Sequence, residues 1–113
     1  TVTGIDASAE DFIAATLLNG WQNWAGGFSG AGYYKDSDGR VHLRGLVKNG
    51  ASVVFNLPAG YRPAAQELFT VHSSSSTASG VGRLDVAANG DVTYTNGSNY
   101  FVQLSGVSFR AAN

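Results

Sequence analysis

Few side chains in this sequence have the type and spacing needed to make or break bonds. The chain has no cysteine, and its two histidines, His42 and His72, fall on different predicted strands. It contains neither a Gly-x-Ser-x-Gly nucleophile elbow nor a His-Glu-x-x-His zinc motif. A glycosidase needs only two carboxylates flanking one bond, and the candidate carboxylates are Asp36, Asp38, Asp85 and Asp91. All of them lie in or beside predicted turns, where aspartate is favoured for its local hydrogen bonds, so we predict no catalytic residue and no enzyme.

The sequence also predicts no metal site and no cofactor. Asp36-Ser37-Asp38-Gly39 begins like a calcium-binding loop. It lacks the third oxygen ligand before the glycine and the bidentate glutamate near the end that such a loop requires. We therefore interpret this stretch as a hairpin turn.

Charge and composition exclude two further classes of partner. Seven Lys and Arg against eight Asp and Glu give a formal net charge of -1, so no positive field gathers phosphates and nucleic acid is not an expected partner. No apolar run approaches the ~20 residues that cross a bilayer, so we expect no membrane insertion. Only 13% of residues are charged and 15 are glycine, which is typical of short strands joined by tight turns.

The elements that must position the polar side chains are strands. From Phe28 onward, apolar and polar residues alternate, as in strands with one buried face. In the segment 40–48 the polar face carries Arg40, His42, Arg44 and Lys48. The alternation predicts an inward face for these residues: Val41, Leu43, Val47, Val53, Phe55, Leu57, Phe69, Val71, Leu84, Val86, Val92, Tyr94, Tyr100, Val102 and Leu104.

Turn signals divide these runs into about seven or eight strands. Asn89-Gly90 predicts a two-residue hairpin turn, and residues 73–80 are a polar stretch predicted to be a surface loop. The fold class is therefore all-β, an antiparallel β-sandwich or jelly-roll-like head. Residues 6–15 contain helix formers and predict a short N-terminal helix or stalk remnant, followed by a strand near residues 16–24. We place a stalk or linker at residues 1–14 and the head domain at residues 15–113.

Several strings resemble the C-terminal receptor-binding head domains of phage and prophage tail fibres or minor tail proteins. The strongest is the segment 55–64, Phe-Asn-Leu-Pro-Ala-Gly-Tyr-Arg-Pro-Ala. Further matches are the segments 17–21, 34–36, 39–47, 90–92 and 102–110. Together they span roughly residues 15 to 111 in the same order as in that group.

The resemblance implies a homotrimeric head at the tip of a phage tail. In that setting the domain is part of the virion, acts outside the bacterial cell, contacts other tail or baseplate proteins and attaches to surface saccharide. The alternative is a structural cap that trimerises a tail fibre and binds no ligand.

A saccharide offers an apolar C–H face and a rim of hydroxyls, so its site needs a flat aromatic ring beside polar side chains. Aromatic residues close in sequence to the polar face of segment 40–48 meet that demand. The candidate ligand-binding residues are Trp24, Tyr33, Tyr34, Arg40, His42 and Arg44. A second candidate cluster consists of His72, Arg83 and Asp85, of which the last two share a strand face. An ordinary surface ion pair is the alternative interpretation of this cluster.

Four apolar residues fall on predicted strand faces whose other residues are mainly polar. A monomer would expose them as a patch, so we predict that they pack at a trimer interface: Leu46, Val54, Leu68 and Phe101.

Overall fold

The computed structural model describes residues 11–75 and 78–112, and within them the regular structure is entirely β-strand. The strands are β1 (Ile13–Ala14), β2 (Gln22–Asn23), β3 (Gly32–Lys35), β4 (Arg40–Arg44), β5 (Leu46–Lys48), β6 (Ser52–Asn56), β7 (Glu67–Ser74), β8 (Ser79–Val86), β9 (Asp91–Asn96), β10 (Phe101–Gln103) and β11 (Ser108–Arg110). They form a four-stranded sheet in the order β1-β3-β4-β11 and a seven-stranded sheet in the order β2-β5-β10-β7-β8-β9-β6. The strand pairings among the described residues are all antiparallel, so the predicted all-β antiparallel class is confirmed.

The N-terminal prediction is only partly open to comparison. Residues 6–10 of the predicted helix lie outside the described residues, and residues 11–15 contain strand β1 rather than helix, because Ile13 pairs with Tyr33 in the small sheet. The strand expected near residues 16–24 is reduced to β2. The division at residue 14 between stalk and head stays a prediction. Within residues 11–75 and 78–112 the chain offers no long apolar helix of the kind that spans a bilayer.

Alternating apolar residues from both sheets form one core. The inward prediction is confirmed for most positions, which are at most 7% exposed: Val41, Leu43, Val47, Phe55, Leu57, Val71, Leu84, Val86, Val92, Tyr94, Val102 and Leu104. Phe69 is partly buried and packs against this core. Tyr100 is an exception, since it precedes β10 and is 42% exposed. Val53 is another, because the pairing of β6 with β9 shifts register between Val53 and Phe55.

This register shift corrects the prediction for Val54. A β-bulge places two residues opposite one and re-aims the side chains that follow it. Val54 is consequently 0% exposed and belongs to the core. Its assignment to a trimer interface was wrong, because that assignment assumed unbroken alternation.

The turns are built largely as their residues predict. Asp36 Oδ1 accepts hydrogen bonds from the backbone N–H groups of Asp38 (2.9 Å) and Arg40 (3.0 Å), which closes the β3–β4 hairpin. The β8–β9 hairpin also forms, but of the predicted Asn89-Gly90 pair only Gly90 has positive φ, at 96°. The backbone N–H of Ala87 donates to the carbonyl of Asp91, so the loop is longer than the predicted two residues. The polar stretch 73–80 mostly extends β7 and β8 instead of forming a loop, because residues 73 and 74 pair with residues 80 and 79.

Candidate functional site

The six predicted saccharide ligands do not form one site. Trp24 directly follows β2 on the large sheet, whereas the other five residues lie on β3 and β4 of the small sheet. Tyr33 is 8% exposed, and its ring stacks on core residue Phe55 at 6.0 Å with an interplanar angle of 17°. Its position on β3 turns it toward the core, so the structure removes Tyr33 from the surface candidates.

The small-sheet candidates are engaged mainly with one another. The rings of Tyr34 and His42 stack at 4.8 Å and 15°. His42 Nε2 lies 2.7 Å from Asp36 Oδ2. The hydrogen bond from His42, together with the backbone N–H of Arg40, lowers the pKa of Asp36 from 3.8 to about 2. The carboxylate therefore stays ionised, and it anchors both the hairpin turn and the imidazole.

Neighbouring groups complete this small-sheet cluster. The guanidinium carbon of Arg44 lies 3.5 Å from the centroid of the Phe12 ring, which in turn meets the Tyr34 ring edge-on at 4.8 Å. Arg40 Nη2 donates a hydrogen bond to Ser108 Oγ at 3.1 Å. Sequence reasoning missed Phe12, because residues 1–14 were assigned to a stalk. The cluster's interactions are thus largely internal, which favours a structural role over ligand contact.

The large sheet carries a different feature, an aromatic pocket of about 480 Å³ on its outer face. Its lining residues come from the loop after β2 and from β5, β7 and β10: Trp24, Phe28, Leu46, His72, Phe101 and Gln103. Sheet register explains why they converge. Gln103 pairs with Leu46, Phe101 pairs with Ser74, and the backbone N–H of Trp24 donates to the carbonyl of Leu46 at 2.8 Å.

Aromatic rings contact one another along the wall of the pocket. Trp24 meets Tyr100 edge-on at 5.3 Å and Phe101 at 5.9 Å, and Phe101 meets His72 at 5.3 Å. Edge-to-face pairs at these separations are favourable beyond the area that they bury. The ammonium of Lys48 lies 4.9 Å from the Trp24 ring centroid. Interlocked rings of this kind present a preformed apolar wall.

Leu46 and Phe101 were predicted at a trimer interface, and the structure places both in this pocket. Leu46 is 7% exposed but lies outside the core cluster between the sheets. It is buried on the outer face, because the chain around Trp24 and Phe28 covers it. Of the four residues predicted at a trimer interface, Leu68 is exposed to solvent on the large sheet, at 55%. Val81, on the next strand, is also exposed, at 67%.

The second predicted cluster forms only in part. Arg83 Nε and Nη2 donate to the two carboxylate oxygens of Asp85 at 2.8 and 3.0 Å, and Gln66 Nε2 donates to Asp85 at 3.0 Å. The hydrogen bond to Asp85 raises the pKa of Arg83. His72 pairs with Val81 in the sheet and contacts Phe101 instead. His72 therefore belongs to the pocket, and Arg83 with Asp85 forms an ion pair.

Sequence reasoning found Trp24 but missed Phe28 and Gln103 as its neighbours. One signal was available, since Phe101 and Gln103 alternate with buried Val102 on β10 and must face outward together. The other requirement, that β10 lies beside β5, is a long-range pairing that local patterns do not contain. Among residues 11–75 and 78–112, no group of three His, Cys, Asp or Glu side chains is arranged to hold a metal ion.

Comparison with known proteins yields a structural likeness. No protein-family model and no curated protein matches the sequence. The fold is similar to that of the receptor binding protein (gp15) of Listeria phage PSA, with a TM-score of 0.75. The two chains are 21% identical, and the match covers 96% of this chain and 69% of that chain. The domain therefore has the all-β fold of that phage protein.

Proposed function

We propose that this domain is the receptor-binding head of a phage tail fibre or minor tail protein, and that it attaches to bacterial cell-surface saccharide. The observation that carries the proposal is the preformed aromatic pocket beside Trp24. The likeness of nearly the whole chain to a protein described as a phage receptor binding protein supports it. In this role the domain acts on the virion tail, outside the bacterial cell, in contact with other tail proteins and without catalysis.

The pocket has the parts that a sugar ring requires. Trp24 and Phe101 offer aromatic surface to the C–H groups of the ring. His72 and Gln103 lie at the same pocket and can donate and accept hydrogen bonds with hydroxyls. Small-ligand sites commonly combine a mostly apolar lining with a few polar groups that fix orientation.

The proposal includes a homotrimer. Leu68 and Val81 leave apolar side chains open on the outer face of the large sheet, and burial against a second copy would remove them from water. Three linked copies raise apparent affinity for a repeating polymer by about 10²–10⁴ without any new contact. A weak individual pocket is then sufficient for firm attachment.

Adsorption to purified cell walls tests the proposal. The panel of walls should include Listeria, and the variants are Trp24→Ala and, as the matched control on the small sheet, His42→Ala. We expect the Trp24→Ala variant to lose adsorption and the His42→Ala variant to keep it, because Trp24 lines the pocket and His42 does not. Thermal melting and light scattering check that both variants keep the fold and oligomeric state of the parent. A parent protein that adsorbs to no wall, or a Trp24→Ala variant that adsorbs as well as the parent, contradicts the receptor-binding function.

The second candidate function is a structural cap for a tail fibre. The exposed Leu68 and Val81 favour it, since they serve assembly whether or not a ligand binds. It predicts a stable trimer whose adsorption is indifferent to Trp24. A monomer at micromolar concentration in light scattering would contradict the trimer under either function, and release of reducing sugar from wall polysaccharide would contradict the absence of catalysis.

A further inference from the structure

The side-chain amide of Gln103 has unused hydrogen-bonding capacity at the wall of an apolar pocket. Gln103 lies on β10 and faces the pocket, and its side-chain amide forms no hydrogen bond with the residues that the structure describes. An amide provides two donors and an acceptor. A ligand that covers this amide must replace the hydrogen bonds that water makes with it, because an unsatisfied buried polar group is costly.

The rest of the pocket limits which ligand can do so. Four of its six lining residues are apolar or aromatic, and Leu46 among them is 7% exposed. A sugar hydroxyl pressed against Leu46 or Phe28 would lose its bonds to water and find no partner there. The ligand should therefore bring an apolar substituent to these side chains and a hydrogen-bonding group to Gln103.

An acetamido group combines both properties. Its methyl group suits the side chains of Leu46, Phe28 and Phe101, and its carbonyl oxygen can accept a hydrogen bond from Gln103 Nε2. His72, which forms no hydrogen bond through its ring within the described residues, is left for a ring hydroxyl. In such a complex Gln103 would determine specificity as well as contribute to binding.

Charge distinguishes an acetamido group from a free amine. The ammonium of Lys48 lies over Trp24, and Lys48 forms no ion pair with the described residues. No lining residue of the pocket is acidic. A protonated amino sugar would bring a second cation close to Lys48 without a compensating carboxylate, whereas acetylation removes that charge.

We infer that the pocket selects an N-acetylated amino sugar, which it recognises through the acetamido group at Gln103. The inference rests on the proposed saccharide-binding function and specifies its ligand. Such a sugar can come from the glycan backbone of the bacterial wall or from a polymer attached to that wall.

Titration of the isotope-labelled domain, followed by NMR, tests the inference. The probes are the methyl glycosides of N-acetylglucosamine, N-acetylgalactosamine and N-acetylmannosamine, each compared with its free-amine and parent-hexose forms. We expect at least one N-acetyl form to bind about 10-fold more tightly than its two counterparts, because each of them lacks the carbonyl oxygen that accepts from Gln103 and the methyl group that meets the apolar wall. The same titration should shift the side-chain amide signals of Gln103.

Two variants separate recognition from folding. Gln103→Leu keeps the size of the side chain and removes its amide, so the preference for the N-acetyl form should fall below about 3-fold. Gln22→Leu is the matched control, because Gln22 is exposed on β2 and does not line the pocket. It should keep the full preference.

The outcomes distinguish this inference from the proposed function. Wall adsorption that depends on Trp24, combined with equal binding of the acetylated and parent sugars or with no sugar-induced shift at millimolar concentration, overturns the acetamido inference alone. Failure to adsorb to any wall overturns the function as well. Where the preference is found, walls stripped of attached polymer identify the source: retained adsorption indicates the wall backbone, and lost adsorption the attached polymer.

Discussion

Gly50→Ala should destabilise the domain strongly, because Gly50 packs directly against the ring of Trp21. A Cβ atom added at Gly50 would lie 2.1 Å from Cγ and 2.2 Å from Cδ2 of that indole. Carbon atoms pack best at about 3.5–4.0 Å, so the ring would have to retreat by more than about 1 Å. Trp21 is 4% exposed and meets Tyr94 edge-on at 5.7 Å, which leaves it little room to move.

The expected cost follows from this geometry. Overpacking a close-packed core costs about 1–3 kcal/mol, and the overlap with a rigid, buried ring places Gly50→Ala near the upper end. In a domain of this size, that loss lowers the melting temperature by roughly 10–20 °C. The strain should also reach the pocket, since Trp21 directly precedes β2 and Trp24 directly follows it.

Urea unfolding at one fixed protein concentration measures the loss. Gly80→Ala is the matched control, because Gly80 lies in β8 at an ordinary φ and an added Cβ there meets only the Ser73 carbonyl oxygen, at 3.8 Å. It should be neutral or slightly stabilising. In a double-mutant cycle with Trp21→Leu, the double variant should be about 1 kcal/mol more stable than the sum of the two single losses predicts, because the smaller side chain relieves the overlap. A Gly50→Ala variant as stable as the parent would refute the packing argument.

Two further predictions concern the hydrogen bonds of the Asp36 and Tyr94 side chains. Because the pKa of Asp36 is lowered from 3.8 to about 2, its contribution to stability is full above about pH 4 and disappears as the pH falls through about 2. Urea unfolding at several pH values should show that the free energy of unfolding falls less at low pH for Asp36→Asn than for the parent, and equal decreases would contradict this. Tyr94→Phe removes the 2.7 Å hydrogen bond from Tyr94 Oη to the Ser98 carbonyl, which should cost about 1 kcal/mol by thermal unfolding; an unchanged stability would show that water replaces the bond.

Local patterns predicted the parts of this fold that depend on neighbouring residues. The inward face of β4 and the hairpin at Asp36 follow from alternation and from turn chemistry, and both are confirmed. The same reasoning failed at Val54, because a register shift between paired strands has no marker in the local sequence. Alternation identifies a face only while the pairing stays regular.

The candidate site was less predictable because it depends on the order of strands in the large sheet. Tyr33 and Tyr34 looked equivalent by position, yet one belongs to the core and the other stacks on His42. Trp24 was grouped with residues near it in sequence, whereas its partners Tyr100 and Phe101 follow more than seventy residues later. Non-local pairing of β5 with β10 brings them together, and no short window of sequence contains that information.

Along β10 and the residue after it, four consecutive residues alternate between positions that line the pocket and positions in the core. Phe101 and Gln103 form the pocket wall, while Val102 and Leu104 are 0% exposed in the core. Substitutions at residues 101 and 103 should change the lining of the pocket and leave the packing between the sheets in place. Under the proposed receptor-binding function, a lineage that carries this domain could then change its target by one or two codons, without first having to evolve a new scaffold.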